Sequence, residues 1–464
     1  MLHLLLIPAL AAAEPLPLTA AAAVKAAVQD VRRLEPATAI YTRYITAHHL
    51  PPAESPEAFA VASYQVNSLS REAIIVRPRK VTPWLWAIDI RDYGWRIERY
   101  GLLLFTPGAI EPYFHVRLLD QKTKPATPAH APWLPTAEIL ELAQRTDSSI
   151  PLVRFDWFLN RTAIQEGRDG FGYTDFLELR SRADAEKLAG LDRAKAIAIY
   201  REQAAVIAES GVALQSRQLF RFGTVAGAWW ESRDVKNEPL GGVAERNAVR
   251  ELLDRYQHDA EEIVFTLPNG LPGFYLSDAA GKAAKSAPPD IASDALSASN
   301  DRRVHVGLSC IRCHQAGGLK PFADWARKTY APGTGLALGV SDDATFRRVR
   351  SVYLGPIERA FRRDTEDFGA AIEQASGLKP AALSKAFARQ WSRYLDQPVD
   401  SARAAAEVGL SEVDYLGRLR RHAVAARLLD PVLAGYLARP QQPVRREHFE
   451  ELFPLLMGAI GAEP

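Results

Sequence analysis

The chain has only two cysteines, and both lie in one pentapeptide, Cys310-Ile311-Arg312-Cys313-His314. Their spacing of about one helical turn predicts a short helix that presents both thiols on the same side. C-x-x-C-H is the attachment signature of c-type haem, in which each thiol adds to a vinyl group of the porphyrin. The following histidine can then supply the proximal nitrogen ligand of the iron. The motif predicts one covalently attached haem c, anchored by Cys310 and Cys313 and ligated by His314.

The same pentapeptide permits other interpretations. A redox-active dithiol is typical of a thioredoxin-like βαβ unit early in a chain, whereas this motif lies deep in the sequence, before Gly317-Gly318. A structural zinc site needs a second pair of ligands, and the sequence has no further cysteine to provide it. The sequence therefore favours haem attachment, and a non-haem dithiol or interaction protein stays the alternative.

Length and composition indicate an ordinary globular protein of more than one domain. The chain has 464 residues, of which 47% are hydrophobic and 24% charged. A net charge of +2 gives no electrostatic argument for binding nucleic acid. The sequence also lacks a glycine-rich phosphate loop and an H-E-x-x-H motif. We expect a redox partner protein or small molecule, which the sequence does not identify, and no nucleic acid.

The first residues are typical of a secretory signal peptide. An apolar run ends in the small residues Ala11 and Ala13, which predicts a signal peptide over residues 1–13 and cleavage before Glu14. The segment departs from the usual pattern because no Lys or Arg precedes the apolar run. Since haem c is generally attached outside the cytoplasm, both features predict a periplasmic or otherwise exported protein. No later apolar run of about 18 residues predicts a membrane span.

The periodicity of apolar residues predicts an α+β fold that is mainly helical. We expect a mixed α/β region with short strands and hairpins over residues 14–300, with a subdomain boundary in the proline-rich stretch 122–135. An all-helical, cytochrome-c-like region that carries the haem motif is predicted over residues 301–464. Predicted helices cover residues 19–34, 38–47, 56–68, 136–144, 193–209, 341–363, 381–396, 411–421 and 446–460, and predicted strands 73–76, 84–90, 102–105, 113–119, 262–265 and 273–276.

Several local patterns add detail to this prediction. Asn269-Gly270, between two strand-like runs, predicts a tight hairpin turn, because both residues tolerate a positive φ. Thr19 is a candidate N-cap, and Ser411 with Asp414 has the spacing of a capping box. The adjacent Trp229-Trp230 pair in a strand predicts one ring in the core and one facing outward, although one ring could also pack against a porphyrin.

The sixth ligand of the iron determines what a haem site does. A methionine raises the reduction potential, a second histidine lowers it, and an open position lets small ligands react. His258 is the first distal candidate, because Asp259 follows it and could orient its imidazole. Met457 is the second, since the only other methionine, Met1, should leave with the signal peptide. A core methionine that fills a gap is the alternative role for Met457.

A set of short segments spans most of the chain. They are 43–46 (RYIT), His49-Leu50, 67–70 (NSLS), 88–95 (IDIRDYGW), Val153-Arg154, 156–158 (DWF), Trp230 with Ser232 and Asp234, His258-Asp259, 262–271 (EIVFTLPNGL), Leu308-Ser309 with the pentapeptide, and 404–411 (AAAEVGLS). Together these segments resemble a family of large exported bacterial proteins with a single C-terminal haem c motif. The resemblance implies a cytochrome-c-like protein with no settled activity. This chain has Ala260-Glu261 where the family usually has two glycines after a His-Asp pair.

These observations together predict an exported mono-haem c-type protein that works in electron transfer. The large region before the motif would bind a partner or substrate, because a simple carrier needs only about a hundred residues. The first alternative is a haem enzyme, or a redox or gas sensor, with an open distal site. Di-haem peroxidases carry two attachment motifs, and the single motif here counts against that class. No catalytic residue is identified from the sequence.

Overall fold

The computed structural model describes most of the chain, and the structural statements below concern that part. The predicted signal peptide, the stretch 122–135 and the predicted strands 102–105 and 113–119 lie outside it. The described residues are 18–95, 136–148, 151–163, 173–199, 202–207, 216–236, 256–284, 286–287, 289–294, 302–314, 318–326, 351–353, 355, 357–429 and 431–461.

A four-stranded sheet lies in the N-terminal part of the chain. Its order is β2-β3-β1-β4, with β1 antiparallel to β3 and parallel to β4. Helix α1 (Ala20–Val31) packs on this sheet through an alanine- and valine-rich face, and the Thr19 side chain caps it as predicted. The strands are β1 (Thr42–Thr46), β2 (Arg79–Thr82), β3 (Leu85–Asp89) and β4 (Leu152–Arg154).

A five-stranded antiparallel sheet follows, with its strands in chain order. The predicted hairpin is confirmed between the last two strands of the sheet. Gly270 in its turn has a φ of +87°, whereas Asn269, also expected to have a positive φ, does not have one. Each strand runs next to its neighbour in sequence, so the sheet is a simple meander. The strands are β5 (Glu202–Ile207), β6 (Arg217–Gly223), β7 (Ala228–Asp234), β8 (Ala260–Thr266) and β9 (Pro272–Asp278).

The two faces of this sheet carry different side chains, because successive residues of a strand point to opposite faces. The pairing of Leu219 with Ser232 and of Ser232 with Glu262 fixes which residues share a face. We call one the Trp230 face, comprising Ile207, Arg217, Leu219, Trp230, Ser232, Glu262 and Val264. The other is the Trp229 face, comprising Phe220, Phe222, Trp229, Glu231, Glu261, Ile263 and Phe265.

Both tryptophans of the adjacent pair are buried, so the prediction that one ring faces outward is wrong. Trp229 is 0% exposed and Trp230 is 3% exposed. They do project from opposite faces as predicted, but each face of the sheet is covered by other elements. Arg193 lies over the Trp229 ring, and Phe361 packs edge-on against Trp230. The five-stranded sheet is therefore an interior layer, as the near-complete burial of β7 shows.

Helices surround the two sheets and confirm the predicted α+β class. The Ser411 hydroxyl accepts a hydrogen bond from the Asp414 backbone and donates to its carboxylate, which confirms one half of the predicted capping box. The further helices are α2 (Pro36–Ala39), α3 (Ser55–Ser68), α4 (Ala137–Thr146), α5 (Phe155–Ala163), α6 (Tyr173–Phe176), α7 (Arg182–Ala189), α8 (Arg193–Ala198), α9 (Leu308–His314), α10 (Ile357–Ser376), α11 (Pro380–Leu395), α12 (Ser401–Glu407), α13 (Glu412–Leu429), α14 (Pro431–Ala438) and α15 (Arg446–Gly461).

Three predicted elements differ from the structure. The helix predicted over 38–47 is wrong, because its second half is strand β1, buried between β3 and β4. The helix predicted over 193–209 ends at Ala198, and within the same stretch Glu202–Ile207 form β5, which pairs with β6. The strand predicted over 73–76 does not form, since this segment pairs with no strand among the described residues. In the first two, long-range pairing overrides local propensity, whereas the third lacks the partner strand that its propensity requires.

The part of the chain from residue 301 is not purely helical. The two-residue strand β11 (Val304–His305) pairs with β10 (Ser286–Ala287) directly before α9. Helix α15 continues through Pro454 without a break in its assignment. One hydrophobic cluster includes side chains from both sides of residue 301, from Ile45 to Ile460. None of the helices that the structure describes is both long and apolar enough to cross a bilayer.

Candidate cofactor site

Helix α9 carries the C-x-x-C-H motif and is held in place by Gly307 and Asp294. Gly307 has a φ of +83°, and a Cβ there would lie 2.6 Å from the Ala163 carbonyl oxygen, so only glycine fits the entry to the helix. The Asp294 carboxylate accepts a 2.6 Å hydrogen bond from Ser309 and pairs with Arg312. These contacts bind α9 to the segment before β11 and fix the direction in which the motif points.

The two cysteines lie on one side of α9, as the spacing predicts. Cys310 is 2% exposed, Cys313 is partly buried, and no disulfide joins them. Burial raises the pKa of the Cys310 thiol well above its usual value, and burial also raises that of Cys313. Redox-active C-x-x-C thiols have the opposite property, a lowered pKa. The direction of both shifts therefore does not favour a thioredoxin-like site.

A cavity lies between α9 and the Trp230 face of the five-stranded sheet. Its volume is about 220 Å³, and it opens to solvent on one side. Both cysteines and His314 line it on one side, and the sheet forms the facing wall. Its other lining residues are mainly apolar: Ile207, Arg217, Leu219, Trp230, Ser232, Glu262, Val264, Asp294, Val304, Ser309, Leu319, Lys320, Pro321, Phe322 and Phe361.

The imidazole of His314 is oriented by contacts on two sides. Its Nδ1 lies 3.1 Å from the Gly318 carbonyl oxygen, a contact that assigns the proton to Nδ1. The Phe274 ring packs against it with 5.8 Å between ring centroids. Nε2 is therefore the nitrogen left to bind a metal, and it points to the sheet, 3.5 Å from Oε1 of Glu262. A hydrogen-bonded second nitrogen is the usual arrangement for a histidine that ligates a metal.

Glu262 and Arg217 form the polar part of the sheet wall. Arg217 Nη1 lies 3.4 Å from Glu262 Oε2, and Arg217 Nε lies 2.9 Å from Asp234 Oδ1. Burial alone would raise the pKa of Glu262, but hydrogen bonding to His314 and the charges of His314 and Arg217 lower it to about 2. Burial raises the pKa of Asp234 despite the Arg217 charge. An ionised carboxylate thus faces His314 across the cavity.

Three aromatic rings form another part of the wall. Trp230, Phe322 and Phe361 meet edge-to-face, with centroids 6.3, 6.1 and 5.5 Å apart. The Trp230 indole donates a 2.9 Å hydrogen bond to Asp364, which Arg221 also holds through two bonds of 3.0 and 3.1 Å. This network fixes the indole and links the sheet to α10. The rings provide the apolar surface that a flat macrocycle requires.

The structure gives different information about the two predicted distal ligands, His258 and Met457. His258 Nε2 lies 3.1 Å from Glu261 Oε1, and Glu261 belongs to the Trp229 face, away from the cavity. His258 is not among the described residues that line the cavity. These contacts give no support to a ligand role for His258. Met457 lies on α15, its side chain is outside the described part, and its role stays a prediction.

Sequence reasoning found the motif but missed the facing wall. Glu262 was assigned only to a strand, although one signal was present: the two adjacent glutamates Glu261-Glu262 in an otherwise apolar run. Adjacent strand residues point to opposite faces of a sheet. If both faces are covered, each of the two glutamates is therefore buried, one on either face. Arg217 carried no local signal, since its role depends on the register between β6 and β7.

The residues present fit a covalently bound haem. Two unpaired thiols and His314 Nε2, which contacts Glu262, face one mainly apolar cavity. The buried Arg217 Nη2 at its wall has no hydrogen-bond partner among the described residues. A haem has two propionates that could accept from such a donor. In the described part of the chain, no group of three or more His, Cys, Asp or Glu residues is arranged to hold a metal ion directly. No family model, curated protein or solved structure matches this chain.

Proposed function

We propose that this chain is an exported c-type cytochrome-like protein that binds one haem covalently and transfers electrons. Cys310 and Cys313 would form the thioether bonds, and His314 would ligate the iron through Nε2. One observation carries the proposal: these three side chains line the same mainly apolar cavity. Bound haem would supply one-electron redox chemistry there. The resemblance to exported proteins with a single haem c motif supports the same function.

The chain's own residues have distinct tasks in this proposal. Gly318 and Phe274 orient the imidazole, and the aromatic wall with Trp230 keeps water from the macrocycle. Arg217 and Lys320 are the cationic lining residues, suited to the propionates. Lining residues come both from the sheet and from the segment after residue 301. The helical haem region proposed for residues 301–464 would therefore need the sheet to complete its cavity.

A haem enzyme, or a redox or gas sensor, is the second candidate. Among the described lining residues of the cavity there is neither a methionine nor a second histidine. Strong sixth ligands of these types are typical of simple electron carriers. Without a strong sixth ligand from the cavity wall, that coordination position would stay open, and a small molecule could reach the iron. Carbon monoxide binding to the reduced protein would distinguish this candidate from a closed electron carrier.

The test uses the full chain, expressed with the haem c maturation machinery. We expect a pyridine haemochrome of c type and pigment that stays with the protein in acidic acetone. Cys310→Ala combined with Cys313→Ala should remove covalent haem. Wild-type protein expressed without the maturation machinery is the control, because it keeps both thiols but cannot acquire covalent haem. A colourless wild-type protein, or pigment lost to acidic acetone, would refute haem attachment and favour the non-haem alternative.

We propose that the protein is exported, because residues 1–13 are typical of a signal peptide and haem c is generally attached outside the cytoplasm. Fractionation of cells that express the full chain should place the protein in the periplasm, with the N-terminus shortened to Glu14. Peptide mass spectrometry of the mature protein measures this directly. A cytoplasmic protein that retains Met1 would contradict both the signal peptide and the haem proposal.

A further inference from the structure

Glu262 lies opposite the nitrogen that the proposed iron would bind. Its Oε1 is 3.5 Å from His314 Nε2, and Nδ1 of the same ring is already engaged by Gly318. Metal bonds to imidazole nitrogen and to carboxylate oxygen are each about 2 Å long. An iron bound by His314 would therefore lie close to this carboxylate. The sequence motif accounts for His314, whereas nothing in the motif accounts for Glu262.

The carboxylate is held firmly in this position. Glu262 lies within β8, an interior strand of the five-stranded sheet, and pairs with Ser232 on one side and Leu276 on the other. Arg217 binds the second oxygen, Oε2, so Oε1 is the oxygen directed at the imidazole. A carboxylate with one oxygen held by a guanidinium and the other facing a cavity is prepared to ligate a cation.

We propose that Glu262 is the sixth ligand of the haem iron in its oxidised state, an inference that rests on the proposed haem attachment. A carboxylate is a hard, anionic ligand and prefers ferric to ferrous iron. It is also a weak-field ligand, so the ferric haem should be high-spin. Reduction weakens the bond and leaves the position accessible to small molecules. The site would then behave as a sensor or enzyme centre more than as a closed electron carrier.

Two substitutions of Glu262 test the proposal on the haem-loaded full chain. Glu262→Gln removes the charge but keeps the shape, and it should raise the midpoint potential. A tenfold loss of preference for ferric iron corresponds to about 59 mV for a one-electron couple. Glu262→His should convert the haem to a low-spin spectrum in both redox states, because two imidazoles then face the iron. The readouts are absorption and electron paramagnetic resonance spectra and a redox titration.

Glu261→Gln is the matched control. Glu261 is adjacent in sequence and equally a glutamate of β8, but it belongs to the Trp229 face and binds Arg182. Its substitution should leave the spectrum and the potential unchanged. His258→Ala tests the ligand predicted from the sequence, and we expect no change of spin state there either. Circular dichroism and covalent haem content show that each variant is folded and loaded.

The possible results separate this inference from the proposed function. Wild-type protein without covalent haem refutes the proposed function itself. If the wild-type protein carries covalent haem but its ferric spectrum is low-spin, Glu262 is not the sixth ligand. The same conclusion follows if the spectrum and potential of the Glu262→Gln variant match those of the wild type. A high-spin ferric wild type, carbon monoxide binding after reduction and a low-spin Glu262→His variant establish it.

Discussion

Acid should destabilise this protein through two adjacent histidines, well before its carboxylates are protonated. His48 is 7% exposed, and the His49 side chain is 15% exposed. The two rings meet edge-to-face with centroids 5.5 Å apart. Nearby, Arg154 binds both Asp156 and Glu407, so the cations and anions of the cluster already balance one another without a charged imidazole.

The pKa shifts give the direction and size of the effect. Burial, with the charges of His49 and Arg154, lowers the pKa of His48 to about 3. Burial also lowers that of His49 to about 4, although the Asp156 charge, 3.4 Å from Nε2, opposes the shift. Both histidines bind protons more readily in the unfolded chain, where the ordinary pKa is 6.5. The free energy of unfolding therefore falls as pH drops below 6.5 towards 4.

The magnitude follows from proton linkage. Between pH 7.5 and pH 5, each histidine should reduce the free energy of unfolding by about 2 kcal/mol, or about 4 kcal/mol for the pair. Urea unfolding of the haem-loaded chain at the two pH values measures the total. In a double variant, His48→Gln with His49→Gln, neither position titrates. Its loss of stability between the two pH values therefore gives the contribution of all other groups. The difference between the two pH dependences isolates the histidines.

One result would refute this reasoning. If wild type and the double variant lose the same stability between pH 7.5 and pH 5, the imidazoles are not buried in their neutral form. A wild type that becomes more stable on acidification would show that His49 is paired as a cation with Asp156. Direct titration of the histidine ring signals by nuclear magnetic resonance would then identify the group responsible.

Two further substitutions test the construction of the cavity. Asp364→Asn leaves the Arg221 guanidinium buried without its counter-charge, which should cost about 3 kcal/mol of unfolding free energy. Thermal unfolding measures this, and an unchanged midpoint would show that water solvates Arg221 in the folded protein. Gly307→Ala forces a Cβ within 2.6 Å of a backbone oxygen at a φ of +83°, which should destabilise the chain by about 2 kcal/mol or more. Covalent haem content, measured beside stability, should also fall in this variant, and a fully loaded variant of wild-type stability would contradict the close approach at Gly307.

Short sequence patterns correctly predicted those elements that depend on neighbouring residues in the chain. Thr19 begins α1 because its side chain caps the first turn, and Asn269-Gly270 turns the β8–β9 hairpin because Gly270 needs a positive φ. The helix predicted over 38–47 was wrong for the opposite reason. Residues 42–46 are strand only because β3 and β4 pair with them, and β4 lies about a hundred residues away in the sequence.

In the candidate site too, features set by neighbouring residues were predicted, and features set by long-range strand pairing were not. The pentapeptide is local, and it predicted that both cysteines and His314 lie on one side of a helix. The wall opposite depends on strand register, which no short pattern encodes. Glu262 faces the cavity and Glu261 does not, because β8 pairs with β7 in one register; a slip by one residue would exchange them. His258 was favoured from its neighbour in sequence, whereas its partner in the structure is on the other face.

The cavity is assembled from segments that are synthesised far apart. Its sheet wall ends at Val264 in β8, the pentapeptide follows after about 45 residues, and Phe361 comes almost fifty residues later. The cavity is therefore complete only after α10 has joined the sheet. Until then, the thiols of Cys310 and Cys313 lack the burial that the folded chain gives them.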